Sequence, residues 1–319
     1  KVEPSDPFHI GSCTKSMTAT LAAILVEKKS IEWTTTVAQA FPDLKAKIHR
    51  DYHSVTLLDL LAHRGGLPED RAPDPKLWPR ILQLNGPLSK QRLAFIEIVL
   101  RDAPATKPGT AYAYSNAGYT IAGAMLERAG KKSYEDLIRE LLFEPLEMRS
   151  AGFGAPGAAS GSTRRRGGAG ALDVPWGHHA RALGRGMTPI APGPRADNPQ
   201  VIAPAGTVHV ALADWARYIS LHLRGARGEQ GLLLAPESFE KLHARVASDD
   251  YALGWVTAER GWAKGRVLTH SGSNGSWFAV VWIAPNVDLA FLAVTNCGAD
   301  AAARACDEAI TRLLRKHTE

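Results

Sequence analysis

The chain has 319 residues, 45% of them hydrophobic and 22% charged, which is the composition of a globular protein long enough to bury a core without disulfides or metals. Its 38 Lys and Arg against 32 Asp and Glu leave a net charge of +6, a bias towards an anionic substrate or surface. The basic residues are scattered apart from Arg164-Arg165-Arg166 in a Gly-rich stretch, which excludes a nucleic-acid-binding signature, and no apolar run approaches the roughly 20 residues that a membrane helix needs.

The first predicted element is a helix from Gly11-Ser12 to Val26, rich in Ala and Leu and apolar on most faces, the pattern of a helix inside a protein. Its polar residues gather at the start, which is unusual for a helix that only fills a core. Thr56-Leu57-Leu58-Asp59 reads as a capping box, with Gly65-Gly66 as the stop. A further helix follows Asn116, runs through Ile121 and Met125 and stops at Gly130. Ser133 and Asp136 cap a short one that ends before Pro145. Residues 154–200, dominated by Gly, Ala, Pro and Arg, read as a long functional or mobile loop. Helical spacing returns around Asp214-Trp215-Ala216-Arg217-Tyr218 and closes at Gly225.

The C-terminal third changes character. Residues 266–270, 277–283 and 289–294 are β-rich runs separated by turns, an antiparallel meander. A last helix carries Ala302, Ala305, Cys306, Ala309, Ile310, Leu313 and Leu314 on the face expected to pack on that sheet. Cys13, Cys297 and Cys306 fit neither a disulfide framework nor a zinc site. Lys1 is not an initiator Met and no signal peptide follows it, so the sequence reads as a mature, trimmed or partial chain.

Several common enzyme signals are missing: there is no Gly-x-Ser-x-Gly elbow, no His-Glu-x-x-His and no phosphate-binding Gly-rich loop. What remains is Ser12-Cys13-Thr14-Lys15. Positions i and i+3 share a helix face, so Lys15 reaches the Ser12 hydroxyl. In the first turn of a buried helix an ammonium is disfavoured by both the dipole and burial, and a serine beside such a lysine is activated for covalent catalysis. The tetrapeptide alone is weak, because Ser238-Phe239-Glu240-Lys241 repeats it on an ordinary surface helix. Tyr114-Ser115-Asn116 precedes a helix, with Asn116 either an N-cap or a substrate-orienting amide, and Tyr114 either packing or a proton carrier beside Lys15. His270-Ser271-Gly272-Ser273 ends a β run, where Gly272 removes a side chain that would keep a substrate off the strand; the bland alternative is a hairpin turn.

Taken in order, these three motifs resemble those of the serine β-lactamase and penicillin-binding-protein superfamily, and most closely its class C branch of D-Ala-D-Ala carboxypeptidases, D-aminopeptidases and β-lactamase-like esterases. Phe8-His9-Ile10-Gly11-Ser12-Cys13-Thr14-Lys15 resembles the nucleophile motif, Tyr114-Ser115-Asn116 the Tyr-x-Asn motif, and His270-Ser271-Gly272 stands at the Lys-Thr-Gly position. Residues 60–68, Pro145-Leu146-Glu147-Met148, Pro204-Ala205-Gly206 and Leu253-Gly254-Trp255 add to the likeness. It implies an α/β (α+β) fold, an antiparallel sheet flanked by helices plus a mainly helical domain. The sheet-plus-helix part is expected in residues 1–29 and 242–319, and the helical part in 30–241.

The resemblance further implies that Ser12 is the acyl-forming nucleophile, Lys15 its activating partner and Tyr114 the general base and then acid. The backbone N–H groups of Ser12 and Ser273 would form the oxyanion hole, and Asn116 would hold the acyl-side amide. His270, Ser271 and Gly272 would face the substrate, with Trp176, Trp255 and Tyr251 as aromatic walls of the cleft. No cofactor and no metal is implied; His178-His179 lacks a third ligand nearby. His270 and Ser271 depart from Lys-Thr, so a substrate carboxylate meets an imidazole that is mostly neutral near pH 7, and β-lactam turnover is expected to be slow. Only eleven residues precede Ser12 where the family usually carries two sheet strands, so either the chain is partial or the sheet has its N-terminal strands missing or shortened; that loss would leave an edge or an apolar face inviting a partner strand or a homodimer. The expected partner is a small-molecule or peptide substrate, in a periplasmic or exported setting. The competing expectation is a catalytically silent module that binds cell-wall peptide or a partner protein.

Overall fold

A helix with no charge between Lys15 and Glu27 has no face to offer to water, and the fold is built around it. In the computed structural model, which describes residues 2–69, 77–157, 174–181, 186–193 and 196–318, a 3-10 turn over Gly11–Cys13 runs straight into α1, Thr14–Glu27. Every residue of α1 from Thr14 to Leu25 is buried. The Arg164-Arg165-Arg166 run and Asp173 lie outside the described residues.

The remaining elements are, in chain order, β1 (Pro7–His9), α2 (Val37–Ala40), α3 (Leu57–Leu61), α4 (Trp78–Leu82), α5 (Leu88–Val99), α6 (Asn116–Gly130) and α7 (Tyr134–Ile138). They continue with β2 (Gly152–Phe153), β3 (Gly177–Ala180), β4 (Met187–Ile190), α8 (Ala203–Gly206), β5 (Val208–Ala211), α9 (Leu212–Ala226) and α10 (Pro236–His243). β6 (Val256–Arg260), β7 (Gly265–Ser273), β8 (Phe278–Ala284), β9 (Leu289–Thr295) and α11 (Asp300–Thr318) complete the chain.

β6-β7-β8-β9 form one antiparallel sheet, with the expected meander over its last three strands and β6 as an added strand. α11 packs on β8 and β9, and so does α9, which lies within the segment expected to be the helical domain. Buried residues of α1, α3, α6, α9, β7 and β8 belong to one contiguous core. β1 joins β5 and β2 in a small separate sheet, so among the described residues β9 stands at the edge of the main one. No helix among the described residues is long and apolar enough to cross a membrane.

Local chemistry explains the boundaries, including three that differ from expectation. The capping box at Thr56 is present, but α3 ends at Leu61 rather than running to the glycines, because His63 already takes a left-handed backbone (φ 57°). α6 is capped by Ser115, whose hydroxyl accepts the Gly118 N–H, so Asn116 is the first helical residue and its amide is released for other work. The 154–200 loop contains a hairpin, β3 with β4, that no alternation announces. Its strands are four residues long and bounded by Gly and Pro, and they gain order by docking, with the His178 N–H donating to Ser276 O at 3.0 Å. On α11 the buried stripe is narrower than expected: Cys306 and Ile310 are buried, whereas Ala305, Ala309 and Leu313 face solvent.

The sheet meets the start of α1 backbone to backbone. A Cβ on Gly272 of β7 would lie 2.1 Å from Ile10 O and 2.5 Å from Ser12 N, and one on Gly11 would lie 2.4 Å from Ser273 N. Gly272→Ala should therefore push β7 off the 3-10 turn and cost about 1–3 kcal/mol, the range for overpacking a filled site. Urea denaturation of the purified variant checks this, and an unchanged midpoint would contradict the contact.

Candidate active site

Lys15 is fully buried, and its ammonium meets three oxygens: Ser12 Oγ at 3.0 Å, Asn116 Oδ1 at 2.6 Å and Ala205 O at 2.8 Å. Three acceptors match the three N–H donors of a charged lysine. Each comes from a different element. The 3-10 turn sets Ser12 one turn before Lys15, the Ser115 cap delivers Asn116, and the short α8 turns its Ala205 carbonyl inward. The Tyr114 ring centroid lies 4.7 Å from Lys15 Nζ, a cation–π distance, and that of Tyr119 lies 5.6 Å from it. Ser12, Lys15, Tyr114 and Asn116 are thus brought together.

β7 brings its motif to the same place. Successive residues alternate, with His270 and Gly272 buried and Ser271 and Ser273 exposed. Gly272 and Ser273 press on Gly11 and Ser12, so the backbone N–H groups of Ser12 and Ser273 sit on two abutting segments. The His270 imidazole is fixed at both nitrogens: Nδ1 lies 2.6 Å from Ser271 O, and Nε2 lies 3.1 Å from the Tyr251 hydroxyl. A carbonyl only accepts, so Nδ1 carries the proton and Nε2 accepts from Tyr251. Burial, with a smaller contribution from the Lys15 charge, holds the His270 pKa down at about 4. Burial likewise holds the Tyr251 phenol well above its ordinary value, so it remains a donor.

The aromatic walls are placed differently from expectation. Trp255 is buried in the core with its ring 5.0 Å from that of His222, so it cannot line a cleft. Its position follows from Gly254, whose left-handed backbone (φ 79°) packs directly on Ser16 and draws the next side chain under α1. Trp176 is half-buried, and its carbonyl accepts from Asn296 Nδ2 at 2.8 Å. Tyr251 is buried beneath His270 rather than beside a substrate. His178 Nδ1 and His179 Nε2 engage Asn296 O at 3.0 Å and Ser276 Oγ at 2.5 Å, contacts that dock the β3–β4 hairpin.

His63, noted in the sequence only within residues 60–68, is central to the site. Its Nδ1 accepts the Ser115 N–H at 3.0 Å, and its ring centroid lies 4.3 Å from Tyr114 and 4.6 Å from Tyr251. It therefore fixes both the helix cap that carries Asn116 and the ring of Tyr114. Burial, then the charge on Lys15, keeps it neutral far below the ordinary histidine pKa. The only local signal was its place just after a capping-box helix. Arg64, the next residue, pairs with Asp249 and donates to Gly109 O at 2.8 Å, tying together the loops around this cluster.

A half-buried serine and a buried lysine in a Ser-x-x-Lys pair at the head of a core helix, with a Tyr-x-Asn segment on one side and a strand ending in His-x-Gly on the other, is the arrangement of the serine β-lactamase and penicillin-binding-protein superfamily. The Beta-lactamase family model matches residues 1–315, and the chain belongs to that family. Its relatives include penicillin-binding protein 4 of Amycolatopsis lactamdurans, 26% identical over 302 residues that cover 91% of this chain and 72% of that protein. Unguisins hydrolase ungD' of Aspergillus campestris (strain IBT 28561) is 24% identical over 314 residues covering 92% of this chain; the chain spans only 53% of that relative's length. Two solved structures share the fold. SurE superposes with a TM-score of 0.75 at 23% identity, over 99% of this chain and 65% of that one. A D-stereospecific amidohydrolase from Streptomyces sp. superposes with a TM-score of 0.70 at 18% identity, over 93% and 85%.

The buried neutral histidines carry a pH dependence. His63, His270, His222 and His243 all have folded-state pKa values below the 6.5 of an unfolded histidine, chiefly through burial, with His222 down at about 3. Between about pH 6.5 and pH 4 the unfolded chain binds more protons than the folded one. Stability is therefore fully present above pH 6.5 and falls on acidification, by on the order of 1 kcal/mol per pH unit for each such group. Urea midpoints at pH 7, 6 and 5 should drop steeply; equal midpoints would show that these imidazoles do not titrate as buried neutral groups.

Proposed function

We propose that this protein is a serine hydrolase of the class C β-lactamase-like branch that cleaves amide or ester bonds through an acyl-enzyme on Ser12. The observation that carries this reading is the 3.0 Å contact between Ser12 Oγ and a lysine with no exposed surface, held in place by Asn116 and Ala205. A lysine whose three N–H groups all have acceptors donates to Ser12 and does not take its proton. That task falls to Tyr114, whose phenolate the adjacent Lys15 charge stabilises. Ser12 then attacks the carbonyl, the oxyanion is met by the N–H groups of Ser12 and Ser273, and Tyr114 returns the proton to the leaving group. Water repeats the sequence to release the acid. Asn116 orients the acyl-side amide of the substrate.

The His270 lock sets the substrate class within this reading. With Nδ1–H donated to Ser271 O and Nε2 accepting from Tyr251, the imidazole has no charge and no spare N–H for a carboxylate. A β-lactam or a peptide C-terminus loses the cation that would anchor it. Substrates whose leaving side is uncharged, D-amino-acid amides and short-chain esters, lose nothing. β-Lactams acylate Ser12 slowly by comparison. The reading extends, through family resemblance, to a periplasmic or exported setting and to self-association as a homodimer.

Intact-mass measurement after incubation with a p-nitrophenyl ester and with a penicillin tests the chemistry. Incubation should give an acyl adduct, or ester turnover, that disappears in Ser12→Ala. No adduct and no turnover with either reagent in a folded sample would favour a silent binding module. For the substrate class, a matched D-amino-acid amide and its C-terminal free-acid dipeptide should differ at least tenfold in kcat/KM in favour of the amide, a ratio worth about 1.4 kcal/mol. A preference for the free acid would refute the role given to His270.

A further inference from the structure

The two backbone N–H groups assigned to the oxyanion hole belong to segments 261 residues apart, and side-chain bonds elsewhere join those segments. His9, on β1, is fully buried and accepts the Gly11 N–H on Nδ1 at 3.1 Å, so its Nε2 carries the proton. Nε2 lies 2.7 Å from Asp197 Oδ1, an electrostatic contact without the geometry of a hydrogen bond. The same Oδ1 accepts from Asn274 Nδ2 at 3.1 Å and from the Asn198 N–H at 2.7 Å, while Oδ2 accepts from Gln200 Nε2 at 3.1 Å. Asn274 also donates to Ala196 O at 3.2 Å.

Asn274 shapes the turn that follows Ser273. Its Oδ1 accepts the N–H groups of Ser276 and Trp277 at 3.1 and 3.2 Å. The Ser273 hydroxyl closes the same turn, donating to Trp277 O at 2.7 Å and accepting from the Gly275 N–H at 3.0 Å. One arm of the Asp197 carboxylate thus ends at Gly11, the residue before Ser12. The other ends at Asn274, the residue after Ser273. The side chain of Asp197 is 3% exposed and that of His9 is fully buried, while Asn198, Gln200 and Asn274 are half-buried, so water has little access to the carboxylate at the centre of the bridge.

We propose that Asp197 is a positioning residue for the oxyanion hole, a carboxylate strut that sets the spacing between the Ser12 and Ser273 N–H donors through His9 and Asn274. The assignment rests on the serine-hydrolase reading. Asp197 touches neither the nucleophile nor Lys15, and it acts by geometry. Oxyanion donors matter only where charge develops, so loosening them slows acylation without weakening substrate binding.

The test uses the full chain with Asp197→Asn, which keeps the volume and removes the charge, and with Asn274→Ala, which cuts the opposite arm. A p-nitrophenyl ester supplies kcat and KM. A phenylboronic acid, whose tetrahedral adduct with Ser12 holds an oxygen where the oxyanion forms, supplies a transition-state affinity. Melting curves show that each variant is folded. Both variants should lose about ten- to a hundredfold in kcat with KM within twofold of wild type, and boronate affinity should fall in proportion to kcat. A rise in KM at unchanged kcat, or a kcat loss without a loss of boronate affinity, would overturn the strut. Wild-type kcat and boronate affinity in either folded variant would do the same while leaving the hydrolase reading intact. A wild-type protein inert to both reagents would overturn the hydrolase reading and the strut with it.

Discussion

A single buried ammonium organises this molecule. Lys15 sits where water cannot reach it, and an unsatisfied charge there would cost more than the whole margin by which a domain of this size is stable. Its three oxygen partners come from the 3-10 turn before α1, the first residue of α6 and the short α8, stretches that lie far apart in the sequence. Each of those segments must arrive at the correct depth. The requirement explains otherwise idle details, such as a serine rather than an asparagine capping α6, which frees the asparagine to face inward.

The second constraint is spacing. β7 and the start of α1 touch through main chain, and Gly11 and Gly272 leave no side chain between them. Gly254 does the same on the next turn of the helix, packing on Ser16. Close main-chain contact sets the backbone N–H groups of the two segments near each other, which side chains placed between them would prevent. It also makes the geometry unforgiving, because neither segment can shift without the other. The network through His9, Asp197 and Asn274 links the residues that flank that contact.

Much of this was legible in the sequence because it is written in local chemistry. The uncharged stretch after Lys15 announced a buried helix, the β-rich runs and turns in 266–294 announced the meander, and the order of the three motifs announced the candidate site. What was not legible depends on contacts between distant residues. Asp197 stands in a Gly- and Pro-rich stretch, and nothing near it in sequence marks it as a partner for His9 and Asn274. The β3–β4 hairpin has four-residue strands without alternation, and it gains order from Ser276 and Asn296 rather than from its own pattern. Trp255 was misplaced for a related reason. An aromatic beside a glycine near a candidate cleft looks like a wall, but the left-handed Gly254 turns the chain so that the indole goes under α1.

The site divides its electrostatics sharply. On the side of Ser12, charge is concentrated in Lys15 and shared with Ser12, Asn116 and the face of Tyr114. On the side of β7, His270 is held neutral by burial and by the nearby Lys15 charge, and its two nitrogens are committed to Ser271 and Tyr251. A second cation at that position would stand in the field of the first and raise the cost of keeping Lys15 buried. A neutral imidazole removes that repulsion, and what is given up is attraction for an anionic leaving group. Under the proposed hydrolase reading, a histidine at the head of this motif does two things at once, easing the burial of the Lys15 charge and disfavouring substrates with an anionic leaving side.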